Sequence, residues 1–432
     1  MTQALALAKR GPTRSAATLV WVLFSVSHVW LAAVNTSIRP GTFADVTGVY
    51  RFWFAQALGG NVMGIDEPWV YPMLAWLPIA LAGIGGLSLY GLMWLLLITV
   101  LDGLAIWMLL RRHQGIMLAC VYLGVQLLLG PIAVGRLDTI TVPLVVMALI
   151  AVRDREIGTA GVLLTVAAWI KVWPGVIFLA LLAIRGKQWW KRLLGAGLAV
   201  SVPVVLVSLL MGSGANVLSF FSQQGSRGLQ VESVGATPYL WMSARGDAKV
   251  YFDQDILTYQ VDGAGVEIVS ALLTPLLAVA VAVILVFGWL ANRRGVAPHT
   301  VLARMLFALV MALIVFNKVG SPQFVMWLIP VAIALAAVSW QRHYLELAMI
   351  AAVAFFTQLV YPWAYGAVLD ASGFGLLLIS GRNALEVILL VVAVISLARA
   401  SVVKTPAAES AVSPEAAEAE AAAAPASQQP IR

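Results

Sequence analysis

Runs of about 18 or more residues without a charge recur along the sequence, and Leu19 to Ile38 is the first of them. A helix rises ~1.5 Å per residue, so such a run reaches across a hydrocarbon layer of roughly 30 Å. Lipid offers no partner to a backbone N–H or C=O, which leaves helices and closed barrels as the only spanning structures. Composition agrees: 61% of the 432 residues are hydrophobic, 11% are charged and the mean hydropathy is +0.93. A globular domain carries about 25% charged residues. The expected class is an all-α polytopic membrane protein. Its net charge of +7 is then a property of cationic cytoplasmic loops and does not imply a nucleic-acid partner. Cys120 is the only cysteine, which excludes a disulfide within the chain, and its apolar surroundings suggest a small packing residue.

Basic clusters set the topology. Lys9, Arg10 and Arg14 precede the first span, and bases recur at Arg111 and Arg112, Arg153 and Arg155, Arg185 to Arg192, Arg293 and Arg294, and Arg342. If all face the cytoplasm, an even number of crossings separates neighbouring clusters, and about twelve spans with both termini inside satisfy the rule. The exception is Trp69 to Leu110, where two apolar stretches must supply one crossing. YPMLAWLPIALAGIGG, with Pro72 and Pro78 and a closing glycine cluster, therefore reads as a helix lying on the outer surface. The organisation expected is a cytoplasmic N-terminal segment (1–17), a transmembrane domain (18–398) with outer loops at about 35–86, 212–265 and 361–378, and a disordered cytoplasmic tail (399–432) rich in Ala, Glu and Pro. The loop at 212–265 is the only long polar insertion, and loops of that length in a compact protein are usually functional.

Charges at membrane depth cost on the order of 2.5–3.5 kcal/mol even on the lenient insertion scale, so each needs a reason. Asp102 calls for a basic or amide partner on a neighbouring helix. Arg382 and Glu386, four apart, can pair along one helix face. His28 and His113 are expected at the interface, and Asp66 with Glu67 in a solvated turn. Lys171 in AAWIKVWPG, Arg136 with Asp138 in GPIAVGRLDTITVP, and Lys318 beside Asn317, Ser321 and Gln323 in FNKVGSPQF are different. All three bases fall in outer turns, against the positive-inside bias, which suggests an anionic ligand such as a phosphate at the membrane surface. On the same face, GTFADVTGVYRFWF presents Asp45 and Arg51 among interface-seeking aromatics. A carboxylate there can take the proton of an attacking hydroxyl.

The order of DVTGVYRFW, VYPMLAWLPI, GRLDTITVPLVVMAL, AAWIKVWPGVIFLALLAIRGKQWWKR, RGLQVESVGATPYLW and NKVGSPQFVMWLIP resembles bacterial membrane glycosyltransferases of family 87, over about residues 18 to 398. The resemblance implies a GT-C fold and transfer of a sugar, commonly mannose, from a polyprenyl-phosphate carrier. The acceptor would be a glycolipid or glycan outside the plasma membrane. It also implies that Asp45 is the catalytic base and that Lys171 is the family's lysine before proline. Two motifs depart from the family pattern: Gly135, Arg136, Leu137, Asp138 stand for Gly-Gln-x-Asn, and Tyr71, Pro72, Met73 for Tyr-Pro-Pro.

A sugar phosphate leaves without a general acid if fixed cations stabilise the departing phosphate. Lys171, Lys318, Arg136 and Arg227 are the candidates, with Arg51, Tyr71, Asp138, Asn317 and Gln323 as further substrate-binding residues. Displacement with Asp45 as base inverts the anomeric centre. No metal or other cofactor is called for, since no His/Asp cluster has ligand spacing. Alternatives stay open: the resemblance also admits a decaprenyl-phosphate arabinose donor, and the same charges could serve as a pathway in a flippase or transporter or stand in a non-catalytic scaffold.

Overall fold

The structure, a computed structural model, describes residues 14–38, 40–184, 186–225, 228–254 and 256–402. The helices of its bundle are α1 (Arg14–Ala33), α4 (Tyr90–Leu110), α5 (Gly115–Leu129), α6 (Asp138–Arg153), α7 (Ile157–Ile170), α8 (Gly175–Ile184), α9 (Lys187–Leu210), α12 (Val266–Arg293), α13 (Pro298–Val315), α14 (Leu328–Gln358) and α16 (Gly373–Val402). Among the described residues, eight helical segments are long and apolar enough to cross a membrane singly. The expectation of about twelve crossings fits once α6, α7, α8 and the second arm of α14 are added. The α14 helix breaks at Ser339 (φ −170°, ψ 111°), close to the turn expected at Arg342. The last helix runs on to Val402, past the boundary expected at residue 399; most of the expected tail (403–432) lies outside the described residues.

Packing explains which helices face lipid. Helix α13 is buried on nearly every side and forms the centre of the main core with α6 and the first arm of α14. Helix α12 instead exposes a stripe that includes Ile268 (66%) and Val279 (60%). That stripe would be unfavourable in water but is the expected outer surface of a bundle in hydrocarbon.

Asp102, fully buried on α4, has its charge answered by three neighbours. His28 Nε2 lies 3.1 Å away, Gln126 Nε2 donates at 2.6 Å and the Tyr122 hydroxyl donates to the other oxygen. The expected partner is thus found. His28, expected at the interface, is instead buried as part of this network. Cys120 also departs from expectation: it is exposed rather than packed, because its position on α5 faces outward.

The segments between the helices gather into a layer at one end of the bundle. They carry α2 (Arg51–Leu58), α3 (Trp76–Gly83), α10 (Ser219–Gly225), α11 (Thr237–Ser243) and α15 (Tyr365–Leu369). Helix α3 belongs to these connecting segments, in keeping with a surface-lying segment. The 212–265 insertion is folded against this layer. Trp69 N donates to Ser219 Oγ (2.7 Å) and Asn216 Nδ2 to the Ile65 carbonyl (2.9 Å). Among the described residues, Asp66 and Glu67 brace their own turn, through Val62 N and Asn61.

One element departs from the all-α expectation. Strands β1 (Ala248–Asp253) and β2 (Thr258–Gly263) form an antiparallel hairpin with Val250 opposite Val261 and Phe252 opposite Tyr259. Alternating β-branched and aromatic residues favour this arrangement. Asp253 closes its turn by accepting from Ile256 N and Gln260 Nε2.

Candidate active site

The first loop after α1 is held by a chain of hydrogen bonds that also fixes the turn before α6. Asn35 Nδ2 donates to the Pro131 carbonyl (2.8 Å), Thr42 Oγ1 to Asn35 Oδ1 (2.7 Å), and Arg136 Nη1 to the Thr42 carbonyl (2.8 Å). Gly135 lets the two segments meet, since a Cβ there would lie 2.8 Å from the Thr42 carbonyl oxygen. The result sets Arg136 Nε 3.0 Å from Asp45 Oδ2, with side-chain exposures of 9% and 34%. Asp45 is thus the accessible member of the pair. Burial by itself would lower the Arg136 pKa, but Asp45, with Tyr361, Tyr50 and Tyr71, raises it above the ordinary arginine value.

Aromatic packing steadies the loop. Tyr50 is buried against Trp94 (ring centroids 5.2 Å) and Trp53 (5.9 Å), and its hydroxyl accepts from Leu137 N. Tyr71, from the stretch before α3, meets the Tyr50 ring edge-on at 6.4 Å. It also receives Lys171 Nζ at 5.6 Å from its ring centre.

Lys171 belongs to the same cluster. It ends α7 in an extended conformation, and its Nζ lies 2.6 Å from Asp138 Oδ2 at 15% exposure. Asp138 is wholly buried, and its other oxygen accepts from Trp327 Nε1 at 2.7 Å. Trp327 in turn stacks on Phe324 and Trp173 (4.3 and 5.4 Å). A neutral indole and an ammonium therefore satisfy the carboxylate, which fixes where the ammonium sits. Asp138 acts on Lys171 by holding it in place.

On the far side of Arg136 lies a group that the sequence reading did not single out. Tyr361 hydrogen-bonds to Arg136 and interacts electrostatically with both Asp45 and Glu232. Glu232, only 2% exposed, has hydrogen bonds from Tyr365 and Gln230, while its Oε2 has no hydrogen-bond partner among the described residues. Burial raises its carboxyl pKa to about 7, against the lowering pull of Arg382. Arg382 donates to the Glu232 carbonyl and to Asn383 Oδ1, and lies 3.6 Å from Glu386. The expected Arg382–Glu386 pair exists, but it also anchors this loop. A charged residue inside a span was the available signal, and its second partner lies 150 residues away in sequence.

Lys318 stands at the Glu232 side of the site: its carbonyl accepts from Gln230 N (2.9 Å). Next to it, Gly320 (φ +54°) touches the backbone of Ser233 so closely that a Cβ would lie 2.3 Å from its Cα. Asn317 Oδ1 caps its own turn through Val319 N, and Gln323 is buried in the Pro322–Trp327 segment. Arg51 is exposed at the start of α2 and makes no ion pair among the described residues. Arg227 lies outside the described residues.

The basic clusters lie at the other end of the bundle. Arg112 pairs with Asp154 at 2.6 Å beyond α4 and α6, and Arg294 Nη1 donates to the Val402 carbonyl. The 16-residue α6 helix separates Asp138 from this end by roughly 24 Å.

A polytopic helical bundle with Asp45, Arg136 and Lys171 gathered at the end away from its basic clusters defines a membrane protein with a charged site at one end. The glycosyltransferase family 87 model matches residues 69–316, more than half of the chain, and the chain belongs to that family of membrane glycosyltransferases. Family membership assigns the polytopic helical fold, with its one β-hairpin, to the GT-C type expected from the sequence. Tyr71, Arg136, Asp138 and Lys171 fall inside the matched region, and Asp45, Asn317, Lys318 and Gln323 outside it. Among solved structures, ArnT from Cupriavidus metallidurans in the apo state is similar, with 16% identity, 89% of this chain and 77% of that chain covered, and a TM-score of 0.44. No curated protein matches significantly.

Proposed function

We propose that this glycosyltransferase takes a sugar, mannose foremost, from a polyprenyl-phosphate donor. It transfers the sugar to a cell-envelope glycolipid or glycan at the outer side of the plasma membrane, with inversion. The observation that carries this reading is the meeting of Asp45, Arg136, Tyr71 and Lys171 in one cluster. In the proposed step the acceptor oxygen bonds to the anomeric carbon as the bond from that carbon to the phosphate oxygen breaks. The electron pair leaves with the phosphate, and the hydroxyl proton passes to Asp45. Arg136 and Lys171 offset the charge that builds on the leaving phosphate.

A phosphate and Asp45 compete for the same guanidinium. Donor binding therefore draws Arg136 from the carboxylate and frees Asp45 to act as base. Lys318 sits near the 229–233 loop, where the sugar or the acceptor would lie, and a lipid-borne donor suits a site at the end of a membrane bundle. The segregation of basic clusters to the opposite end supports cytoplasmic termini and an outward-facing site.

The test supplies purified protein, a cell-envelope lipid extract and either radiolabelled polyprenyl-phosphate mannose or decaprenyl-phosphate arabinose. The reading expects label from mannose to enter the glycolipid fraction. Asp45→Asn should abolish transfer while leaving donor binding in place. Full activity in that variant overturns the role of Asp45, and label moving only from arabinose overturns the choice of sugar.

A further inference from the structure

A cavity of about 870 Å³ opens at the end of the bundle opposite Asp45. It lies between the last turns of α4 and α6, the starts of α9 and α13, and the first arm of α14 near its break. Its volume is in the range of ligand sites, roughly 300–1,000 Å³. Its walls are apolar, with Leu109, Val146, Ile150, Leu302 and Ile333 among them, and its rim carries Arg112, Arg153, Arg155 and Arg192. Asp154 pairs with Arg112. Arg153, Arg155 and Arg192 form no ion pair among the described residues.

The positive-inside bias accounts for arginines on this face of a membrane protein. It does not account for their standing round the mouth of an apolar cavity. From Val146 to Arg153 the α6 wall runs seven residues, or ~10 Å, which is deep enough for the upper half of a hydrocarbon chain. A chain in the cavity and a phosphate among three guanidiniums would satisfy both parts, because Arg binds phosphate through paired donors. We propose that this cavity binds an anionic phospholipid of the leaflet on the side away from the active site. The lipid's phosphate lies between Arg153, Arg155 and Arg192, and one acyl chain lies against α6, α13 and α14. Such a lipid adds contacts to α6, α13 and α14 at this end of the bundle.

The test uses the full-length protein in detergent, delipidated and then titrated with phosphatidylglycerol, phosphatidylcholine or inorganic phosphate, and followed by native mass spectrometry and thermal unfolding. The expected result is retention of phosphatidylglycerol at least ~10-fold over phosphatidylcholine, with a rise in unfolding temperature as for any ligand of the folded state. The triple variant R153Q/R155Q/R192Q should lose the preference. Ala337→Trp, which puts bulk into the cavity wall and leaves the arginines in place, should lose binding of both lipids. Equal retention of the two lipids, or a preference that survives the triple variant, overturns the proposal. So does stabilisation by inorganic phosphate matching that by phosphatidylglycerol. None of these readouts depends on sugar transfer.

Discussion

Arg136 Nε lies 3.0 Å from Asp45 Oδ2, so the proposed base and the proposed phosphate ligand are each other's counter-ion. Arg136 also holds the first loop through the Thr42 carbonyl. Arg136→Lys keeps the charge and loses the fork of donors that reaches both partners. Its donor KM is expected to rise about 10-fold, and that of Arg136→Gln about 10- to 100-fold, the equivalent of one or two charge-assisted hydrogen bonds. Steady-state kinetics over a donor series checks this; an unchanged KM in Arg136→Gln excludes the arginine from the phosphate site.

Lys171 and Asp138 form a buried pair whose members depend on each other. Asp138→Asn leaves the ammonium without its charge partner, and a broken buried pair costs about 3–5 kcal/mol. Lys171→Met is expected to cost a similar amount. Lys171→Met combined with Asp138→Asn should recover part of that stability and none of the transfer. Thermal unfolding and activity measured on all four proteins separate the two effects, and equal recovery of activity would deny Lys171 a role with substrate.

Glu232 gives stability a pH dependence of known sign. Its carboxyl holds a proton to about 7 in the folded chain, against an ordinary value of 4.5. Between those values the unfolded chain binds fewer protons, so stability falls as pH rises from about 4.5 to about 7 and is level beyond. The shift corresponds to a few kcal/mol, on the order of 3. Unfolding curves of Glu232→Gln across this range should lack that fall. A variant whose curve still parallels the parent places the titration elsewhere.

Asp102 has polar partners and no position in the site. Asp102→Ala strands His28, Tyr122 and Gln126 in the bundle and should cost about 1–3 kcal/mol or more. The kcat of the protein that remains folded should stay within about twofold of the parent, well under the tenfold of 1.4 kcal/mol. A large fall in kcat at unchanged stability would make the network part of the mechanism.

The sequence by itself determined the membrane class, the number of crossings that the bundle fits, and the family. Each rests on a local or one-dimensional signal: uncharged runs, the parity of basic clusters, and motifs in order. It also picked out Asp45, Arg136, Asp138 and Lys171, because a charge near lipid is costly enough to stand out alone. Only the tertiary structure decided that Asp138 serves Lys171, that Arg136 answers Asp45, and that Glu232, Tyr361 and Tyr365 extend the cluster. Pairing and burial depend on segments brought together from positions far apart in the chain, as the contact between Arg382 and Glu232 shows. His28 carries the same lesson, since only the packing of α1 against α4 and α5 turns an expected interfacial histidine into the partner of a buried acid.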